Sequence, residues 1–231
     1  MTVVHDQQQL RNQRWVFAHR EEAGRRLSRM LEPVYGGTKD TILLAIPMGG
    51  VPVAAAMAES LGCPLEAIIV RKIQVPGNTE AGFGAMTPQG EVFLNQALVN
   101  RLGLTEEQIQ RQADQVRREL AERDRSLRGG RPFPELAGRT VILVDDGLAS
   151  GFTMKAAVHL ARRREVARIV VAVPTAPWRT VDDLAGQVEE IYCLNIREGL
   201  SFAVAEAYQH WYDLSEAEAR QLLSRSVQTP G

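Results

Sequence analysis

Two adjacent carboxylates, Asp145 and Asp146, close the apolar run 140–144, and a turn of small residues from Gly147 to Gly151 follows at once. Residues 140–144 read as a strand and residues 153–164 as a helix, so the turn joins a strand end to a helix start. Small residues leave backbone N–H groups uncovered, and the helix adds the positive end of its dipole. Together these make an anion site suited to a phosphate monoester. The hydroxyls of Ser150 and Thr153 can donate to the same anion. Carboxylates repel phosphate, so Asp145 and Asp146 must face another part of the ligand, and a vicinal diol offers each of them hydrogen-bond donors. A phosphate cradle a few residues from two diol-binding carboxylates describes a site for a 5-phosphorylated ribose.

Such a site needs a scaffold, and the apolar periodicity supplies one. It predicts a helix over 21–35 with Ala23, Leu27, Met30 and Leu31 on one face. A strand over 41–46 follows, then the turn Pro47-Met48-Gly49-Gly50 and a helix over 51–61. Residues 67–73 read as the second strand. Residues 74–84, with their Pro and Gly, read as a loop. Short strand-like pieces lie near 83–86 and 91–94, with a turn at 88–90 between them. A long amphipathic helix spans 105–127, capped by Thr105 and striped by Ile109, Ala113, Val116 and Leu120. Beyond the strand 140–144 and its helix come a strand over 167–173, a helix around 181–185 and a last strand over 188–194. Strands apolar throughout, each followed by a helix, imply a parallel sheet covered on both faces. The expected fold class is therefore α/β, a three-layer, doubly wound, mainly parallel sheet. Ligands bind such sheets beyond the carboxyl ends of the strands, where strand order reverses, and the acidic pair stands at a strand end of this kind.

The chain of 231 residues is expected to form a single domain, with residues 1–20 and the last five or six peripheral or disordered. Hydrophobic residues at 45% and charged residues at 24% are ordinary for a soluble globular protein. A formal net charge of −1 gives no reason to expect nucleic acid or an anionic membrane as partner. Arg117, Arg118, Arg123, Arg125, Arg128 and Arg131 interleave with Glu119, Glu122 and Asp124, the pattern of a solvated, salt-bridged face rather than an RNA-binding stripe. No apolar run approaches the roughly 18 residues of a membrane span, and residues 1–14 lack an apolar signal segment, so a cytoplasmic location is expected. Cys63 and Cys193 read as buried, reduced thiols. No His/Cys spacing suggests zinc. Without a G-x-G-x-x-G or a G-x-S-x-G, dehydrogenase and hydrolase readings are poor.

The stretch VILVDDGLASGFTM, residues 141–154, resembles the phosphoribosyl-diphosphate (PRPP) signature of the type I phosphoribosyltransferases: a hydrophobic strand, two acidic residues, two variable positions, then small residue, Thr or Ser, Gly, variable, Thr. The segments HREEAGRRL, AIPMGGVPVAAAMAESLGCPLEAIIVRKIQVPGN and GRTVILVDDGLASG resemble a bacterial subgroup known as predicted phosphoribosyltransferases. The resemblance implies transfer of 5-phosphoribose from PRPP to a nitrogenous acceptor, usually a nucleobase, with release of pyrophosphate and with Mg²⁺ as cofactor. It implies that Asp145 and Asp146 hold the ribose hydroxyls and meet the metal indirectly, through those hydroxyls or water. Ala149, Ser150, Gly151, Phe152 and Thr153 would bind the 5-phosphate. Met48, Gly49 and Gly50 would form the pyrophosphate turn, and Arg71 and Lys72 would meet the diphosphate. Residues 75–84 match a region where the family carries a mobile closing loop. The resemblance also implies a core over about 36–195 and a small hood from about 1–35 and 196–231, with a homodimer usual among relatives.

Two positions depart from the pattern. Met48 stands where the subgroup often has Arg, and Phe152 where a small residue is common, so its ring must point away from the cradle or toward a base. In the family the hood selects the acceptor. The candidate segments here are 15–20 and 201–212, where Phe202, Tyr208, His210, Trp211 and Tyr212 could stack on a planar base or pack against the core. An active transferase is the leading reading. A non-catalytic PRPP or nucleotide sensor of the same fold is the alternative, supported by Met48 and Phe152 and weakened by the intact acidic pair.

Overall fold

The computed structural model describes residues 2–88, 90–199 and 201–226. Its elements in chain order begin with β1 (Val3–Asp6), α1 (Arg20–Tyr35), β2 (Thr41–Ala45), α2 (Gly50–Leu61) and β3 (Leu65–Ala67). Then come β4 (Arg71–Val75), β5 (Asn78–Met86), β6 (Val92–Leu94), α3 (Gln96–Leu102) and α4 (Glu106–Arg128). The chain continues with β7 (Thr140–Val144), α5 (Phe152–Arg163), β8 (Arg168–Pro177), α6 (Trp178–Leu184), β9 (Glu190–Arg197) and α7 (Glu216–Ser226).

The apolar strands assemble as their pattern requires. Six of them form one sheet in the order β1-β9-β8-β7-β2-β3, every neighbouring pair parallel. Alternate residues serve opposite faces. Leu43, Ala45, Ile142, Val144, Val170 and Ala172 pack toward α1 and α2, against residues such as Leu27, Leu31, Val53 and Met57. Ile42, Leu44, Val141, Leu143, Ile169 and Val171 pack toward α5 and α6, against Met154, Ala157, Leu160, Val181 and Leu184. The result is the three-layer, doubly wound α/β fold. From β2 the chain moves to β3 on one side, whereas β7 lies on the other side of β2 and leads on to β8 and β9. Strand order therefore reverses between β2 and β7, and that is where a crevice opens at the carboxyl ends.

Several expectations need correction. The run 67–73 is not one strand. Leu65–Ala67 completes the main sheet, and Arg71–Val75 belongs to a separate antiparallel sheet, β4-β5-β6. Ile68, Ile69 and Val70 are buried between them, so the apolar pattern runs on unbroken through the change of sheet. Residues 74–84 are not a loop either: β4 and β5 form a hairpin that turns at Gly77, whose φ of +76° suits glycine. Of the first 20 residues, those described are not peripheral: Val3–Asp6 pairs with β9, and Phe17 is fully buried. The expected tail at 227–231 lies outside the described residues. The long helix stands as expected, with a capping box between Thr105 and Gln108, and Ile109, Ala113, Val116 and Leu120 are buried. Helices α3 and α7 had no counterpart in the periodicity. Cys63 and Cys193 are buried and unpaired. No helix among the described residues is long and apolar enough to cross a membrane.

Candidate functional site

At the switch point, β7 ends in Asp145 and Asp146, and β2 ends in the turn from Pro47 to Gly50. The two ends are stitched together by the Ile46 N–H, which donates to the Val144 carbonyl at 2.8 Å. The peptide between Pro47 and Met48 is cis. Gly49 then brings the turn's backbone onto the acidic pair: a Cβ there would sit 1.9 Å from Oδ2 of Asp146. Gly50 is equally constrained, since its Cβ would lie 2.5 Å from the Val144 carbonyl oxygen. Both glycines are thus required by close approach. Met48 is partly buried, its side chain packed against the core.

The turn after the acidic pair has the open geometry of an anion cradle. The Leu148 N–H donates to the Thr175 carbonyl at 2.9 Å, and the Thr180 hydroxyl donates to the Ala149 carbonyl at 2.7 Å, which fix the turn onto β8 and α6. Gly151 adopts φ +71° and starts α5 without any side-chain cap. The first N–H groups of this helix of 12 residues therefore stand at the dipole's positive end with no side-chain cap. Ala149 and Ser150 are exposed, Thr153 is partly exposed, and the Phe152 ring is 40% exposed, pointing to solvent rather than filling the turn.

The acidic pair is asymmetric. Asp146 is buried, and its Oδ2 accepts from Nε of Arg20 at 2.8 Å. Its backbone carbonyl accepts from the Tyr208 hydroxyl at 2.5 Å. Asp145 keeps partial exposure, and one of its oxygens, Oδ1, accepts from the Asp146 N–H at 2.8 Å. Burial, and next the charge of Asp146, raise the Asp145 carboxyl well above the usual carboxylate range. Burial raises Asp146 as well, against the opposing pull of the Arg20 guanidinium. Two adjacent carboxylates so raised form a site that gains from a cation or from hydroxyl donors.

Arg20 is the site residue that the sequence reading did not single out. It opens α1, where a cation opposes the helix dipole, and that misplacement was the available signal of a specific anionic partner. Its Nη1 also donates to the Tyr212 carbonyl at 2.8 Å, and its guanidinium carbon lies 3.8 Å from the centre of the Trp211 ring. The two expected hood segments do meet. Phe17 and Tyr208 form a parallel bridge, Trp15 and Phe17 donate to the carbonyls of Glu206 and Ala207, and Gln209 and His210 donate back to those of Phe17 and Ala18. Tyr208 packs in the core, at 2% exposure, while Trp211 and Tyr212 stay open at 41% and 45%. Phe202 lies under the Arg197 guanidinium, 5.4 Å away.

Arg71 and Lys72 are placed differently. They lie on β4 of the small sheet, which packs against α4 and α5. The Arg71 guanidinium pairs with Glu119 of α4 at 2.8 Å, so in this state its charge is directed to that helix. Among the described residues no group of three or more His, Cys, Asp or Glu could hold a metal ion by itself. Two carboxylates beside an open cradle nevertheless fit Mg²⁺, which keeps several waters and commonly binds through one or two carboxylates plus substrate phosphates.

Known proteins resemble this chain over most of its length. Residues 19–206 match the family described as "Phosphoribosyl transferase domain". Two Mycobacterium tuberculosis proteins, named "Putative phosphoribosyl transferase MT0597" and "Putative phosphoribosyl transferase Rv0571c", are each 36% identical over 91% of this chain. The chain spans about half, 47%, of the length of these curated relatives. A crystal structure of TT1426 from Thermus thermophilus superposes with a TM-score of 0.79 at 32% identity, covering 90% of this chain and 98% of that one.

Proposed function

This chain belongs to the phosphoribosyl transferase domain family, and from that premise we propose that it transfers 5-phosphoribose from PRPP to a nitrogenous acceptor of the nucleobase type, releasing pyrophosphate. The observation that carries this reading is the meeting, at one switch point, of a partly open carboxylate at the end of β7, an uncapped helix start at Gly151 and a glycine turn pressed onto Asp146.

In this reading the N–H groups at the start of α5, with the hydroxyls of Ser150 and Thr153, bind the 5-phosphate. The end of β7, with the acidic pair, takes the 2- and 3-hydroxyls and fixes the sugar. The backbone of Met48, Gly49 and Gly50 lies along the diphosphate, and Lys72 and Arg71 approach from the small sheet once Arg71 exchanges Glu119 for the ligand. The C1–O bond to pyrophosphate breaks as the C1–N bond forms, through an oxocarbenium-like transition state. The protein's work is to align the partners and to stabilise the charge that leaves. When bound, Mg²⁺ would offset charge on the leaving diphosphate, with Asp145 and Asp146 as the residues nearest to hold it. Closure of the hood and of the β4–β5 hairpin would exclude water from the activated sugar.

The test is pyrophosphate release from PRPP and Mg²⁺ across a panel of bases. Release with one base supports transfer and names the acceptor. Binding of PRPP without release for any base supports the second reading, a non-catalytic PRPP or nucleotide sensor, which the engagement of Arg71 by Glu119 and the core-facing Met48 favour.

A further inference from the structure

The two carboxylates have different amounts of freedom. Asp146 is held by the protein from several sides: Arg20 on Oδ2, the Tyr208 hydroxyl on its carbonyl, and Gly49 so close that no side chain fits between. Arg20 and Asp146 are both buried, their side chains 6% and 13% exposed. Asp145, in contrast, has one oxygen engaged by the neighbouring N–H. Among the described residues no cation holds it: the Asp145 carboxyl lies against that of Asp146, and Arg20 pairs with Asp146.

Arg20 is also the centre of the hood. One of its nitrogens holds Asp146, another holds the carbonyl of Tyr212, and its plane lies under Trp211. Tyr208 joins from the same segment, its ring 5.5 Å from that of Trp211. Arg20 therefore attaches the hood to the sugar site at Asp146, while Val204 of the same segment packs against Gly147. A planar guanidinium that stacks and hydrogen-bonds at once cannot be copied by a lysine.

We propose that the acidic pair divides its work: Asp145 is the carboxylate that meets the sugar hydroxyls, while Asp146, locked by Arg20, is a positioning residue that seats the Trp211–Tyr212 hood over the acceptor space. The first half rests on the PRPP reading above. The second half, the seating of the hood, stands on the geometry of Arg20 alone.

The experiment uses the full chain with Trp15→Phe and Trp178→Phe, so that Trp211 is the only tryptophan. Calorimetry with PRPP and Mg²⁺ reads the sugar site, and acrylamide quenching of Trp211 reads the hood in the absence of any ligand. Asp145→Asn is expected to weaken PRPP by about tenfold or more, the worth of a charge-assisted hydrogen bond, with quenching unchanged. Asp146→Asn and Arg20→Gln are each expected to raise quenching of Trp211, and the double variant to add nothing further. Arg20→Lys keeps the charge but loses the stack, so it should resemble Arg20→Gln in quenching while keeping most of the PRPP affinity. Equal loss of PRPP binding in Asp145→Asn and Asp146→Asn with quenching unmoved in both would overturn the division. So would a change in Trp211 quenching caused by Asp145→Asn. Failure of the parent to bind PRPP would overturn the role of Asp145 together with the functional reading. The quenching of the Asp146 and Arg20 variants would still decide the hood half.

Discussion

Nε of Arg20 lies 2.8 Å from Oδ2 of Asp146 across 126 residues of sequence, with both side chains largely shielded from bulk water. This contact ties the first turn of α1 to the carboxyl end of β7, and it joins the fold's stability to its candidate chemistry.

Arg20→Ala would leave a buried carboxylate with no cation. Breaking a buried pair from one side costs about 3–5 kcal/mol. For a chain of this size each kcal/mol corresponds to about 2–4 °C in Tm. Thermal unfolding should show a large drop, with Arg20→Lys falling less. A Tm within a degree or two of the parent would show that the pair does not hold α1 in place.

Asp145→Asn should do the opposite. The carboxyl is raised above its ordinary value of 3.8, first by burial and then by Asp146. An acid raised in the folded state gives stability that is full below about pH 4 and is lost as pH rises through the raised value. Above the ordinary value of 3.8 the folded state therefore loses this contribution, and the amide removes that cost. The expected outcome is a higher Tm at neutral pH, a flatter dependence of Tm on pH above 4, and loss of PRPP affinity. An unchanged pH slope would contradict the raised value of this carboxyl.

The glycine turn supports a sharper substitution. In Gly49→Ala the new Cβ would stand 1.9 Å from Oδ2 and 2.3 Å from Cγ of Asp146. The carboxylate is held by Arg20, so the turn must yield. PRPP affinity should fall by well over about tenfold, while urea unfolding shows a loss of about 1–3 kcal/mol from the strain. Unimpaired binding would mean that the turn lies clear of the ligand.

Much of this was legible in the sequence. Five-residue apolar strands, the Thr105 cap and the small-residue turn at 147–151 each follow from local chemistry that tertiary structure did not overrule. The divided second strand was not legible. Residues 67–73 are apolar on both sides of the change of sheet, and hydrophobicity reports burial rather than partner. Residues 3–6, VVHD, contain a His and an Asp and gave no strand signal, yet they pair with β9. The acidic pair could be read from type and spacing, but its asymmetry could not. That depends on Arg20, a residue distant in sequence whose only local sign was a cation at a helix start.

A second polar cluster lies at the opposite, amino end of β9. Glu190 accepts from the hydroxyls of Tyr35 at 2.5 Å and Tyr192 at 2.9 Å and from Arg168 at 2.6 Å, and His5 lies at 3.0 Å. Burial, and next the bond to Glu190, push the Tyr35 hydroxyl up from 10.0 to about 12. The folded state holds this proton more tightly than the unfolded chain. Its contribution is full below pH 10 and is lost as pH rises through about 12. Tyr35→Phe should therefore lower stability at pH 8 by about 1 kcal/mol, the worth of one hydrogen bond, and flatten alkaline unfolding above pH 10. Parallel alkaline curves for parent and variant would show that Tyr35 does not contribute to that transition.

The central claim is that the end of β7 and the start of α5 form a PRPP site. Calorimetric titration of the folded chain with PRPP and Mg²⁺, followed by the same titration of Asp145→Asn, tests it most directly. Saturable binding by the parent that is lost in the variant is the predicted result. No binding by a parent that still melts cooperatively, or equal binding by parent and variant, would contradict it.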